Sequence, residues 1–308
     1  MNMMEELGNE YENQLLDRHN IPTKTDVQTL WRKHFKDNYG PRTGEGMLLQ
    51  LENCLKAALE ANNTLYKINC HEGDYCVAIC TPIMQRAEKL PQASEIMFVD
   101  ASGNCDVQDH KVYFFLTQSA AGGIPLGCIL SSSQKSDVFR LGVAALFEIL
   151  PIKVAPSAII TDDDLGERNV LKLFWPKSTL LLCSFHVLKA CWKWIQISKN
   201  GIPKEDSQRA YVIFRNILTC QTEEELSNAK KQFEQFSKYP KFTKYVESML
   251  ERIELWCLLY RRNLMIRGTN TNNYIEVTFR LLKDIALERT KAFNLTQLSD
   301  FIINNFEC

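Results

Sequence analysis

The chain has 308 residues, a net charge of −1 from 36 basic and 37 acidic side chains, and an apolar fraction of 45%. That is enough to bury a sizeable core in one large domain or two modest ones, and it excludes a uniformly basic, nucleic-acid-coating protein, so any such surface has to be local. No apolar run approaches the roughly 20 residues of a membrane-spanning helix, and the eleven irregularly spaced cysteines, with no signal peptide, read as reduced thiols of an intracellular protein.

Residues 1–66 read as a polar helical N-terminal region. Leu30, Trp31, His34 and Phe35 fall at helical spacing, as do Leu48, Leu51, Leu55 and Leu59, with a break at Tyr39-Gly40-Pro41. A helical cap on the core is preferred over a DNA-reading appendage, because no basic recognition face stands out. Cys70, His71, Cys76 and Cys80 follow. They lack the paired spacing of a zinc site, and Tyr75 to Ile79 reads as a short strand on which Cys76 and Cys80 are small buried fillers.

Thr81-Pro82 opens a helix running to Leu90, with proline at the first helical position. Ile96-Met97-Phe98-Val99 is an apolar strand that closes on Asp100. Val112 to Thr117 and Ile124 to Ser131 complete an antiparallel meander. Ser133 to Leu150 is a helix with Val138, Leu141, Ala145, Leu146 and Ile149 on its apolar face. Ala158 to Thr161 is a fourth strand, crossing over in parallel and running straight into Asp162-Asp163-Asp164. A helix from Asp164 to Phe174 and a fifth strand from Ser178 to Cys183 follow. The order β-β-β-α-β-α-β predicts an α/β fold with a mixed five-stranded sheet flanked by helices.

Residues 184–262 are helical almost throughout, and residues 199–262 read as an all-helical insertion within the core of residues 67–198 and 263–308. Met249, Ile253, Trp256 and Tyr260 predict a last long helix in the insertion. A final helix from Asn270 to Arg289 turns Tyr274, Ile275, Phe279 and Leu282 inward.

Asp100 and Asp162 end strands that the topology makes neighbours. Carboxylates that close repel unless a cation bridges them, and Mg2+ or Mn2+ prefers such hard oxygen ligands. Two such ions can clamp both oxygens of an in-line phosphoryl displacement. Glu276 is the candidate third ligand, following Thr269-Asn270-Thr271-Asn272-Asn273, whose short polar side chains suit a helix start. Lys283, seven residues on, shares its face. On local sequence alone, Glu276 is a solvated surface residue. Asp163 and Asp164 read as helix-capping carboxylates and reserve ligands. Trp192 is a candidate for stacking on bases, while Trp194 reads as core.

Three pieces, in this order and spacing, resemble a Mutator-like element (MULE) transposase: Phe98-Val99-Asp100 before a small-residue turn; Ile159-Ile160-Thr161-Asp162, a helix, Phe174-Trp175-Pro176 and Leu181-Leu182-Cys183-Ser184-Phe185-His186; and Thr271-Asn272-Asn273-Tyr274-Ile275-Glu276 with Phe279 and Lys283. The resemblance covers residues 75–290. It implies a ribonuclease-H-like fold with a helical insertion, a DDE triad at Asp100, Asp162 and Glu276 that binds catalytic Mg2+ or Mn2+, and a Cys-x-x-His pair at Cys183 and His186. It also implies DNA as partner (transposon ends and target), a homo-oligomer and a nuclear location. The 114 positions between Asp162 and Glu276 accommodate the insertion.

Residues 201–291 carry a balance of +4, and Lys230-Lys231, Arg261-Arg262, Arg267, Arg280 and Lys283 are candidate phosphate contacts. Two functions are expected: a metal-dependent DNA strand-cleaving and strand-joining enzyme, or a transposase-derived DNA- or protein-binding protein without catalysis. The near-neutral charge favours the second and the complete triad favours the first. Another ribonuclease-H-like nuclease ranks behind both.

Overall fold

In the computed structural model, which describes residues 22–289 and 293–305, the chain's apolar runs line up as one seven-stranded mixed sheet. Helices α1 (Lys24–Tyr39) and α2 (Glu45–Asn62) precede a hairpin of β1 (Leu65–His71) and β2 (Asp74–Cys80). Short helices α3 (Pro82–Ala87) and α4 (Pro91–Glu95) lead into β3 (Ile96–Ser102), β4 (Lys111–Ser119) and β5 (Gly122–Ser131). Then come α5 (Ser136–Ile149), β6 (Ala158–Thr161), α6 (Leu165–Phe174) and β7 (Thr179–Leu182). The strand order is β1-β2-β5-β4-β3-β6-β7. Strands β3, β6 and β7 pair in parallel and all other neighbours are antiparallel.

The α/β class and the meander-then-crossover order are as expected, but the sheet has seven strands rather than five. The extra pair is the β1–β2 hairpin, which turns at Glu72 and Gly73 and pairs Cys76 to Ile79 with the β5 edge. Without it, β5 would present a bare row of backbone donors and acceptors. Strand β1 is only half-buried, so Lys67 and Asn69 dilute the alternation that would mark it in the sequence. Cys76 and Cys80 are buried fillers on β2, whereas Cys70 is exposed.

Alternation along β4 distributes the helices between the two faces. Tyr113 packs on Phe139 of α5 and Phe115 on Trp175, while Phe114 faces the other way onto Phe279. Phe279 belongs to α11 (Asn273–Leu281), which runs on into a π-helical turn at Leu282–Ala286. Helix α2 buries Met47, Leu51 and Leu55 and packs on β1 and on α12 (Leu295–Asn305), so this part of the N-terminal region is a cap on the core. Helix α1 buries no residue, and the region before residue 22 lies outside the described residues.

Helix α7 (Ser184–Gln196) leads from the core into the insertion, which comprises α8 (Lys204–Thr219), α9 (Glu223–Phe233) and α10 (Pro240–Leu250). It has its own apolar cluster, centred on Phe214, Phe242 and fully buried Trp256. The expected last long helix is not formed. Helix α10 stops at Leu250, and short 3-10 turns at Ile253–Leu255 and Leu258–Arg261 follow. The helical spacing of Met249, Ile253 and Trp256 is met instead by a fold-back: the Trp256 indole N–H donates to the Met249 carbonyl at 2.9 Å, and the ring stacks on Phe214.

Candidate active site

The parallel register of β3 and β6 sets the first half of the site. Phe98 stands opposite Ile160, so Asp100 and Asp162, two residues further along each strand, fall level with one another. Asp100 is followed by two more strand residues rather than ending its strand. The third carboxylate arrives on α11. That helix lies against the sheet through Tyr274 on Phe98 and Phe279 on Phe114. Close approach depends on Gly123 of β5, where a Cβ would stand 2.8 Å from the Tyr274 Cβ. Glu276, in the first turn of α11, is thereby carried over the ends of β3 and β6.

The fourth group comes from α7. Its start is pinned by the Cys183 N–H donating to the Thr161 carbonyl at 2.9 Å and the Ser184 N–H to the Asn270 carbonyl at 2.9 Å. Cys183 is buried, and its sulfur accepts from the Asn272 N–H at 3.3 Å, joining α7 to the segment before α11. Asn272 holds the cap position of α11, but its side chain makes no capping bond. One turn into α7, His186 bridges the carboxylates. Its Nδ1 lies 2.5 Å from Asp162 Oδ1 and its Nε2 3.6 Å from Glu276 Oε1. Both atoms of the Asp162–His186 contact, Oδ1 and Nδ1, are buried.

The electrostatics follow from this crowding. The hydrogen bond to Asp162, and next the one to Cys183, push the His186 imidazole up to about 10, so it is a cation at neutral pH. Burial, and next the charge of Asp162, push the Asp100 carboxyl up to about 7. The Ala101 N–H, 2.7 Å from Asp100 Oδ1, and His186 pull the other way. Glu167 of α6 belongs to the same field: burial first, then Asp164, Asp100 and Asp162, raise its carboxyl to about 8. Sequence reasoning passed over Glu167, because a Glu in the first turn of a helix that carries an Asp cap has no local feature to distinguish it.

The remaining expected site residues are dispersed. Lys283 donates to Ser102 Oγ at 2.6 Å and, with exposed Arg280, lines a cavity of about 330 Å3 beyond Glu276 along α11. Arg267 is ion-paired with Glu95. Asp164 caps α6, accepting from the Glu167 N–H at 2.9 Å, whereas Asp163 does not cap and forms a bidentate pair with Arg252 at 2.6 and 2.5 Å. Arg261, read as a solvated phosphate contact, is 3% exposed and is spent on internal carbonyls. Trp194 packs inside the insertion, stacked on Tyr245.

As the side chains stand, no three His, Cys, Asp or Glu among the described residues form a ready metal-ligand set. The donor chemistry nevertheless fits a hard divalent cation: Asp162 and Glu276 both contact His186, and Asp100 lies within the electrostatic reach of all three.

One consequence is measurable. The folded-state value of Asp100, about 7, lies above its ordinary 3.8. The stability it contributes is therefore complete below about pH 4 and is lost as pH rises through 7. Asp100→Asn removes the charge without changing the shape. In EDTA the variant is expected to melt several degrees above the parent at pH 8, about 1–2 kcal/mol more stable, and close to it at pH 4. Thermal melts across that range check this; a difference independent of pH contradicts the placement of Asp100.

No curated protein matches the chain. The stretch from the loop before β4 to the middle of α7, residues 108–190, matches the family model of the MULE transposase domain; it includes Asp162, Cys183 and His186 and leaves Asp100 and Glu276 outside, and over these residues the chain is similar to a MULE transposase domain.

Proposed function

We propose that the chain is a DDE-type transposase core with a ribonuclease-H-like fold, one that cleaves and joins DNA strands with Mg2+ or Mn2+ at Asp100, Asp162 and Glu276. The single observation that carries this reading is the meeting of Asp162 and Glu276 on His186, 114 positions apart in the chain, with Asp100 level with Asp162 on the neighbouring strand. The fold part is supported by five consecutive strands, ordered β5-β4-β3-β6-β7, with a meander leading into a parallel crossover. A bound metal would lower the proton affinity of the attacking water or 3′-hydroxyl and offset charge on the leaving oxygen.

The protein's own part is to hold those oxygens together and to guide the strand. Asp100 and Asp162 are fixed by the sheet, and Glu276 by the packing of α11. His186 holds a positive charge between Asp162 and Glu276, and those two with Asp100 would hold the metal. Arg280 and Lys283 continue along α11 as phosphate contacts. Recognition of transposon ends and target, assembly into a homo-oligomer and action in the nucleus belong to the same proposal.

The alternative is a binding protein derived from such an enzyme, with the imidazolium as a permanent substitute for the metal. One observation favours it, the absence of a ready ligand set among the described residues. Calorimetric titration with Mn2+ at pH 8 separates the two. The enzyme reading expects saturable heat with protons released from His186; a flat titration leaves the binding protein.

A further inference from the structure

We infer that the exposed face of α7 is a stacking surface for an unpaired DNA strand, lying immediately beside the carboxylates. The inference rests on the reading of that cluster as a polynucleotide site and adds the form in which the polynucleotide arrives.

Helix α7 has two faces with different duties. Val187, Cys191 and Ile195 fill the core of the insertion, so burial of the helix needs no further large side chain. Yet Phe185 is 44% exposed and Trp192 38% exposed. Phe185, Lys189 and Trp192 stand at i, i+4 and i+7, one stripe of the helix. Phe185 abuts His186, ring centroids 5.3 Å apart, so the stripe begins at the group that bridges Asp162 and Glu276. The Lys189 ammonium lies 5.3 Å over the Phe185 ring, and Trp192 is braced by Tyr211 of α8 in an edge contact at 5.4 Å.

Charge selects the occupant. Two exposed aromatics alone would suit a protein partner as well. Here a cation already covers one ring, Lys193 follows, and α7 from Ser184 to Gln196 contains no Asp or Glu. Aromatic rings interleaved with lysines complement a strand whose bases stack and whose phosphates are anionic. From Phe185 to Trp192 the helix rises about 10.5 Å, roughly three base rises of ~3.4 Å. A duplex hides its base faces, so this stripe favours a frayed or single strand over paired DNA.

The test is fluorescence anisotropy in EDTA with a labelled twelve-nucleotide thymidine strand and a duplex of the same length. The parent protein is expected to bind the single strand more tightly. Combined Phe185→Ala and Trp192→Ala substitution is expected to weaken single-strand binding about 30-fold or more and leave duplex binding unchanged. Combined Phe185→Tyr and Trp192→Phe keeps two stacking rings and is expected to restore binding to within a few-fold. Lys189→Ala is expected to reduce the salt slope for the single strand by about 0.7. Equal losses on both probes, no loss, or failure of the ring-conserving variant overturn the inference. So does parent self-association in sedimentation that the double alanine variant abolishes, since the face is then an interface between copies. A separate assay of parent nicking on supercoiled DNA in Mn2+ keeps the two readings apart: single-strand preference without nicking sinks the enzyme and spares the surface, and nicking without the preference does the reverse.

Discussion

Replacing Asp162 with Asn is expected to abolish Mn2+-dependent nicking of supercoiled DNA while DNA binding persists. Asp162 faces Asp100 across paired parallel strands and contacts His186 directly, so it is the carboxylate through which the other groups feel one another. Asn has the same shape but no charge. A metal ligand of this kind supplies several kcal/mol of transition-state charge stabilisation, so its loss slows the reaction on the order of 10³-fold or more. Unfolding is not the cause expected. The substitution removes the second-largest push on Asp100 and the largest hold on His186, which returns toward its ordinary value. The control is the melting temperature at pH 8 in EDTA, expected within a few degrees of the parent's, because the relief of Asp100 and the loss of the His186 pair oppose one another. Nicking at the parent's rate by a folded Asp162→Asn protein would remove Asp162 from the chemistry and the DDE reading with it.

The sequence made some of this site legible and hid the rest for identifiable physical reasons. Ile159-Ile160-Thr161-Asp162 can be read because a buried parallel strand is a continuous apolar run, and a carboxylate at its end is a break that needs a reason. Glu276 needed the resemblance, since a Glu in the first turn of a helix is ordinarily solvated. The structure puts its oxygen 3.6 Å from His186. Glu167 stayed hidden because its half-burial among Asp164, Asp100 and Asp162 is a tertiary effect with no local spacing. Arg267 shows what local sequence leaves out. In a basic stretch it reads as a free phosphate contact, but Glu95, 172 residues earlier in the chain, occupies its guanidinium. Strand β1 and the fold-back after α10 were missed because neither has a pattern distinct from a polar segment or a helix.

Arg261 was hidden in the same way, and replacing it with Ala is expected to cause the largest loss of stability. The side chain reads as one of a pair with Arg262, yet it is 3% exposed and lies where β7, α7, the end of the insertion and the segment before α11 meet. Its guanidinium donates to the Leu182 carbonyl, the Leu255 carbonyl at 3.1 Å and Asn270 Oδ1 at 3.1 Å, with longer contacts to Ser184 Oγ and the Asn270 carbonyl at 3.4 Å. Burial lowers its proton affinity to about 10, which leaves it charged at neutral pH. Truncation to Ala leaves those acceptors buried without their donor, a cost of about 3–5 kcal/mol, or a melting temperature lower by about 10 °C. Arg261→Lys recovers only part of this, because one ammonium cannot span acceptors that a planar fork reaches together. The loss also reaches function. Asn270 is held by Arg261 and by the Ser184 N–H, and it lies six residues before Glu276. If that segment loosens and Glu276 shifts by about 1 Å, nicking falls on the order of 10²-fold even where the variant remains folded. Thermal melts and nicking rates at a temperature where both proteins are folded separate the two effects. An Ala variant that melts within about 2 °C of the parent would mean a cost under about 1 kcal/mol, too little for a guanidinium that ties the insertion to the core.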